Sequence, residues 1–283
     1  MKIVGFEGGL GNQMFQYAFY KRLEYNSNLV KADLTMYDRL ADHNGFELST
    51  VFKINVNLAS SFQLSLYTKN KKKYRVLRKL FSIREPYYEE EEQFKYNSTH
   101  FGGDSRYYKG YWQHCNYLQR IEKLLHKEFA FTPFKSLRNI DISQKMQGTE
   151  SVAIHVRRGD YAKYPLLNGL ADKEYFLKGI STIEEKLIDP TYYIFSDDIK
   201  WCRENLGVEK STFVDWNLGV ESYLDMQLMS CCKHAIISNS SFSWWAAWLN
   251  RSPSKIIVVP RVWYRSPYGT ETFRMHPENW IKI

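Results

Sequence analysis

The sequence lacks the parts that many functions require. Only four cysteines, Cys115, Cys202, Cys231 and Cys232, occur in 283 residues, and none forms a C-x-x-C pair. Adjacent cysteines are poor zinc ligands, and no disulfide framework emerges from this spacing; a reducing cytoplasm is the expected setting. There the sequon-like Asn97-Ser98-Thr99 and Asn239-Ser240-Ser241 mean nothing for glycosylation. No apolar run approaches about 18 residues, so no transmembrane helix is expected. The start, Met-Lys-Ile-Val-Gly-Phe-Glu, turns polar too quickly for a secretory signal. D-x-D, H-E-x-x-H and G-x-S-x-G are absent. Their absence argues against a metal–diphosphate clamp, a zinc-protease helix and a hydrolase nucleophile elbow. No repeat of about 20 to 50 residues is visible.

What is present suits an α/β protein. Apolar residues make up 44% of the chain, enough for one large domain or two smaller ones. Aromatics reach 16%, with 21 Tyr and 8 Trp. Such a composition suits stacking on sugar rings, but AT-rich coding inflates tyrosine too. The net charge of +8 has a concentrated source in Lys69, Lys71, Lys72, Lys73, Arg75, Arg78 and Lys79. Tyr74, Leu77 and Phe81 interleave with these cations at helical spacing. One reading is peripheral contact with an anionic membrane through 69–79, at the inner membrane face. The other is a solvated helix neutralised by Glu89 to Glu92. No helix-turn-helix, RNA-recognition or zinc-finger pattern accompanies the segment, so no nucleic-acid partner is expected.

Periodicity orders the elements. A strand over Lys2–Phe6 leads into Gly8-Gly9-Leu10-Gly11 and a helix from Asn12, a suitable N-cap, to Tyr25. Strands are expected at 29–34 and 107–112, and a helix at 117–129 with Leu118, Ile121, Leu124 and Leu125 on one face. Residues 45–105 show no clear pattern, and 132–150 reads as a polar linker. The second half alternates cleanly: strands at 151–156, 191–195, 212–214, 234–237 and 255–259, helices at 172–187, 198–206, 220–231 and 241–250. Val220, Leu224, Leu228 and Cys231 are expected to line one face of the third of these helices. Alternation of this kind predicts βαβ units on a parallel sheet. The domains are expected at 1–145 and 150–262, with 263–283 a C-terminal segment able to cross back.

In an open parallel sheet, ligands bind beyond the carboxyl ends of the strands. Three polar clusters fall there. His155-Val156-Arg157-Arg158-Gly159-Asp160 ends one strand, Ser196-Asp197-Asp198 the next, and Ser238-Asn239-Ser240-Ser241 opens a Trp-rich helix. Arginine offers a planar fork that fits phosphate oxygens, and a helix N-terminus favours negative charge. Together they describe a diphosphate cradle. Each cluster also has a plainer reading: a surface ion-pair group, or side chains that only cap helices. Trp244, Trp245 and Trp248 are expected to pack on the sheet. The first loop differs from a dinucleotide fingerprint, having G-G-x-G rather than G-x-G-x-x-G. Asn12 and Gln13 could hydrogen-bond sugar hydroxyls.

Gly-Gly-Leu-Gly-Asn-Gln-Met-Phe-Gln-Tyr-Ala (8–18), His-Val-Arg-Arg-Gly-Asp-Tyr (155–161), Phe-Ser-Asp-Asp (195–198) and Ser-Asn-Ser-Ser-Phe-Ser-Trp-Trp-Ala-Ala-Trp-Leu (238–249) resemble the bacterial α-1,2-fucosyltransferases, glycosyltransferase family 11. Gly-Tyr-Trp-Gln (110–113) is also similar to a family segment. The motifs come in order and span most of the chain; 45–105 carries little of the likeness and is where acceptor choice is expected to lie.

The resemblance implies a GT-B architecture, two Rossmann-like α/β domains facing a cleft, the first on the acceptor side and the second binding the donor. It implies inverting transfer of L-fucose from GDP-β-L-fucose to O2 of a terminal β-galactoside, without metal or cofactor. The acceptor would be a galactose-terminated glycan, free or lipid-linked, as in O-antigen and lipopolysaccharide synthesis. Carried over by position, Arg157 would bind the diphosphate, with Arg158 in support. His155 would lie near nucleoside or phosphate, and Ser240 and Ser241 would meet the phosphates. Asp197, Ser238 and Asn239 join the donor site by motif, and Asp225 could read the guanine edge. Gly9, Gly11, Asn12 and Gln13 would close on the donor from the other domain. The catalytic base is Asp160 or, outside the motifs, Glu7; Asp160 is preferred for its place beside the arginines. Two further readings are an enzyme using another GDP-sugar and a non-catalytic nucleotide-sugar or glycan-binding protein.

Overall fold

The computed structural model describes residues 1–26, 29–38, 44–91, 94–159, 161–265 and 275–283, apart from the side chain of Ala162. The chain divides into two compact units, Met1–Ala130 and Phe131–Ile283.

The first unit contains β1 (Lys2–Gly5), α1 (Leu10–Asn26), β2 (Val30–Asp33), α2 (Leu48–Val51), α3 (Ser61–Thr68), α4 (Lys72–Leu80), β3 (Tyr87–Glu89), β4 (Arg106–Lys109) and α5 (Glu122–Glu128). Its sheet runs β2-β1-β4-β3, with every pairing parallel. Tyr107 crosses β1 to bond Asp33 Oδ2 at 2.9 Å. Gly5 permits that crossing, because a Cβ there would stand 2.5 Å from the phenol oxygen. α1 begins two residues before the expected start, so Asn12 lies in its first turn and does not cap it. The pattern of 45–105 was hard to read because α3 and α4 are short and bury few side chains. α3 carries a capping box between Ser60 and Gln63, a signal present in the sequence. Of the face expected before α5 and along it, Leu118, Ile121 and Leu125 are buried, while Leu124 is exposed.

The second unit contains α6 (Leu137–Gly148), β5 (Ser151–Val156), α7 (Lys173–Glu184), β6 (Thr191–Ser196), α8 (Ile199–Asn205), β7 (Ser211–Val214), α9 (Tyr223–Cys231), β8 (His234–Ile237), α10 (Ser241–Leu249), β9 (Ile257–Val259) and β10 (Ile281–Lys282). The sheet order is β10-β9-β8-β5-β6-β7, again parallel. Every residue of β5 is buried, as a central parallel strand requires. Val152, Ile154, Val156, Ile194, Ile236 and Val258 pack against Tyr175, Phe176, Ile180 and Ile183 of α7.

Two expectations are corrected. The polar stretch 132–150 is no linker: most of it is α6, whose buried face, Asn139, Ile142, Ser143 and Met146, keeps helical spacing but hides two polar residues in it. The second unit therefore begins near residue 131. The last strand joins the second unit's own sheet, where Ile281 and Lys282 pair with Val258 and Val259. Val220 belongs to a 3-10 turn before α9 and is exposed; of the expected face Leu228 is buried, together with Met226, Gln227 and Met229, while Leu224 and Cys231 are half-buried.

Each sheet has one point where the chain changes direction along the strand order. In the second unit, the chain runs from β5 to β6 and β7 on one side, then returns to β8 on the other. The carboxyl ends of β5 and β8 therefore flank a crevice suited to a ligand. In the first unit the equivalent point lies between β1 and β4.

Candidate active site

At the switch point of the second unit, β5 ends at Val156 and β8 at Ile237, so His155 and Ser238 stand side by side. His155 Nδ1 and Ser238 Oγ are 3.0 Å apart. Burial, with Arg157 adding to it, lowers the His155 pKa to about 3. The imidazole is thus neutral at physiological pH and serves as a hydrogen-bonding group, not a cation.

The two arginines follow directly. Arg157 Nε lies 3.2 Å from Asp197 Oδ2, and Arg158 Nε 3.5 Å from Asp198 Oδ2. Asp197 also accepts the backbone N–H of Arg158 at 2.9 Å and of Gly159 at 3.2 Å. Its carboxylate therefore braces the arginine loop from the end of β6. Three donors thus engage this carboxylate within the loop. Asp198 caps α8 through Trp201 N, and the Arg158 guanidinium sits 4.2 Å from the Trp201 ring. The plainer ion-pair reading is thus part of the structure. It coexists with a ligand role, because both arginine side chains remain over a third exposed.

Across the crevice, Ser240 occupies the N-cap of α10 without a side-chain cap bond. Its neighbours are more fully committed. Asn239 is buried and donates to the carbonyls of Leu167 and Trp263, and Tyr161 donates to its carbonyl at 3.1 Å. Ser238 is fully buried against His155. Asn239 and Ser238 therefore shape the turn through these bonds. The buried Ser240 and the half-exposed Ser241 stand at the helix end, where the dipole favours an anion. Trp244 and Trp245 are fully buried, as expected of packing residues.

Asp225 stands in the first turn of α9, beyond β7 on the same edge. It accepts a hydrogen bond from Asn217 Nδ2 at 2.8 Å. Burial, with Asp215 nearby, raises its pKa to about 7. Asp160 lies outside the described residues.

The first unit's switch point has a different character. Glu47 Oε2 already accepts the Leu10 N–H, in the first turn of α1, at 3.1 Å. Gln13 is fully buried: its amide donates to the carbonyls of Gly8 and Gly45 and accepts from Glu47 N. Both ends of its amide are thus engaged within the fold. Asn12 accepts from Gln113 Nε2 at 2.8 Å. Glu90 Oε2 holds the amides of Tyr111 and Trp112 at 2.7 and 3.1 Å, fixing Trp112 at φ 57°. Gly110 is needed there, as a Cβ would stand 2.6 Å from Glu90. Burial raises the carboxyls of both Glu90 and Glu7. Tyr161 and Trp201 stand beside the arginines without having been singled out in the sequence, although Tyr161 closes the motif 155–161 and Trp201 lies three residues beyond Asp198.

Residues 2–283 match the family model described as Glycosyl transferase family 11. An alpha-1,2-colitosyltransferase of Escherichia coli is 34% identical over 98% of this chain and 96% of its own length. The O-antigen biosynthesis glycosyltransferase WbnK of the same species is 27% identical over 98% of both chains. Galactoside alpha-(1,2)-fucosyltransferase 2 of Gorilla gorilla gorilla is 27% identical over 86% of this chain and 67% of its own.

Proposed function

Because the chain belongs to glycosyl transferase family 11, we propose that it transfers L-fucose from GDP-β-L-fucose to O2 of a terminal β-galactoside, with inversion and without a metal. The observation that carries this reading is that Arg157 follows β5 while α10 begins after β8, the adjacent strand of the same parallel sheet. As the glycosidic bond breaks, negative charge grows on the leaving GDP. A guanidinium and a helix N-terminus at that sheet edge stabilise such charge. Neutral His155, held by Ser238, adds a hydrogen-bonding group beside the phosphates, and Asp225 receives the guanine edge. A carboxylate takes the proton of the acceptor hydroxyl, and Asp160, next to the arginines in sequence, is that base. The setting is cytoplasmic, with O-antigen or another surface glycan as product.

A second reading, another GDP-sugar on the same scaffold, is favoured by the colitosyl name of the relative that is 34% identical. A panel of GDP-sugars against several galactosides, with GDP release followed and product linkage read by NMR, separates the two. An α-1,2-fucosyl product formed in excess EDTA is expected. Fucosyl transfer lost to chelator and restored by Mg²⁺ would contradict the metal-free scheme, and preference for a different sugar would replace the donor.

A further inference from the structure

We propose that the outer face of α4 is a docking surface for a bilayer carrying anionic headgroups. The helix has two faces with different work. Tyr74 is buried with Ile3, Leu66, Tyr67, Ile83 and Tyr107, and Leu77 packs against that cluster. Arg78 Nη1 donates to the carbonyls of Leu66 and Lys69, tying the turn between α3 and α4. These contacts account for the inner face and correct the expectation that Tyr74 and Leu77 belong to the binding stripe.

The outer face remains unexplained by folding. Val76 and Leu80, one turn apart, are 61% and 73% exposed, and Phe81 at the helix end is 58% exposed. Around them stand Lys71, Lys72, Lys73, Arg75 and Lys79, all exposed. Among the described residues none of these five cations is in an ion pair. The expected neutralisation by the acidic stretch is not there either: Glu89 pairs with Lys109 at 2.8 Å, and Glu90 holds the amides of Tyr111 and Trp112; Glu92 lies outside the described residues.

Aliphatic side chains held in water within a ring of cations fit one partner best. Val76 and Leu80 enter the acyl boundary while lysines and arginine stay at headgroup level, their stems covering apolar surface. A nucleic acid offers phosphates to the cations but nothing for the aliphatic pair, which has no plane to stack on a base.

The test is co-sedimentation of the full chain with vesicles of phosphatidylcholine containing increasing phosphatidylglycerol. Binding should rise with phosphatidylglycerol and fade with salt. Lys72, Arg75 and Lys79 replaced together by Gln should weaken it on the order of a hundredfold at low salt. Val76→Ser with Leu80→Ser, which keeps every charge, should also weaken it, by on the order of tenfold. Lys123→Gln with Lys127→Gln, on exposed positions of α5, should leave it unchanged. Equal binding to neutral vesicles, parent-like binding by either α4 variant, or retention on duplex DNA that the serine pair does not alter would each overturn the proposal. Because no sugar transfer is measured, failure of the donor assignment leaves this result readable.

Discussion

The two units place the same topological feature, a strand-order switch at the carboxyl edge of a parallel sheet, in opposite electrostatic settings. In the second unit Arg157 and Arg158 follow β5, and α10 starts after β8, the neighbouring strand. In the first unit Glu47 fills the start of α1, while Glu7 and Glu90 are carboxyls that burial pushes toward the neutral form. A helix start after a glycine loop is therefore not an anion site by that feature alone, since a carboxylate already occupies that of α1. The sharper test of the comparison is removal of charge from the cationic edge. Arg157→Ala should cost about 3 kcal/mol or more of transition-state stabilisation, roughly a hundredfold or greater in kcat/KM. Arg157→Lys should not restore it, since the fork is lost. Steady-state GDP release from the folded variants checks both.

Asp197 distinguishes a brace from a ligand. Asp197→Asn keeps one acceptor oxygen but loses the charge that serves Arg157, Arg158 N and Gly159 N. It should lower stability by about 1–2 kcal/mol in denaturant titration and reduce turnover with it. A variant as stable as the parent but unable to bind GDP would make Asp197 a donor ligand after all.

The sequence made the second unit far more legible than the first. β5 and β8 carry unbroken apolar runs between polar clusters, so their bounds were read to the residue. The arginine loop and the start of α10 were found because arginines beside a strand end have few other uses. The hidden parts share a physical cause, which is polar residues serving as core. Asn139 and Ser143 disguised α6 as a linker. Gln13, Ser238 and Asn239 lie in motif positions that suggest ligands, but their hydrogen bonds are satisfied inside the fold. No periodicity distinguishes a buried amide that orders a turn from an exposed one that meets a sugar.

The smallest expected effect concerns Asp225. Its folded pKa, about 7, stands above the ordinary 3.8. The folded state thus holds a proton that the unfolded state releases first. The associated stability is full below about pH 4 and declines as pH rises to about 7. Asp225→Asn keeps an acceptor for Asn217 and should flatten that decline in thermal melts taken across this window. An unchanged slope would show that another group titrates there.

Equilibrium binding of GDP in excess EDTA, measured by calorimetry, tests the assignment of the two edges most directly. The parent should bind, Arg157→Ala should bind on the order of ten- to a hundredfold more weakly, and Asn12→Ala in the first unit should match the parent. Parent-like affinity in Arg157→Ala, or an equal loss in Asn12→Ala, would contradict the placement of the diphosphate at the second edge alone.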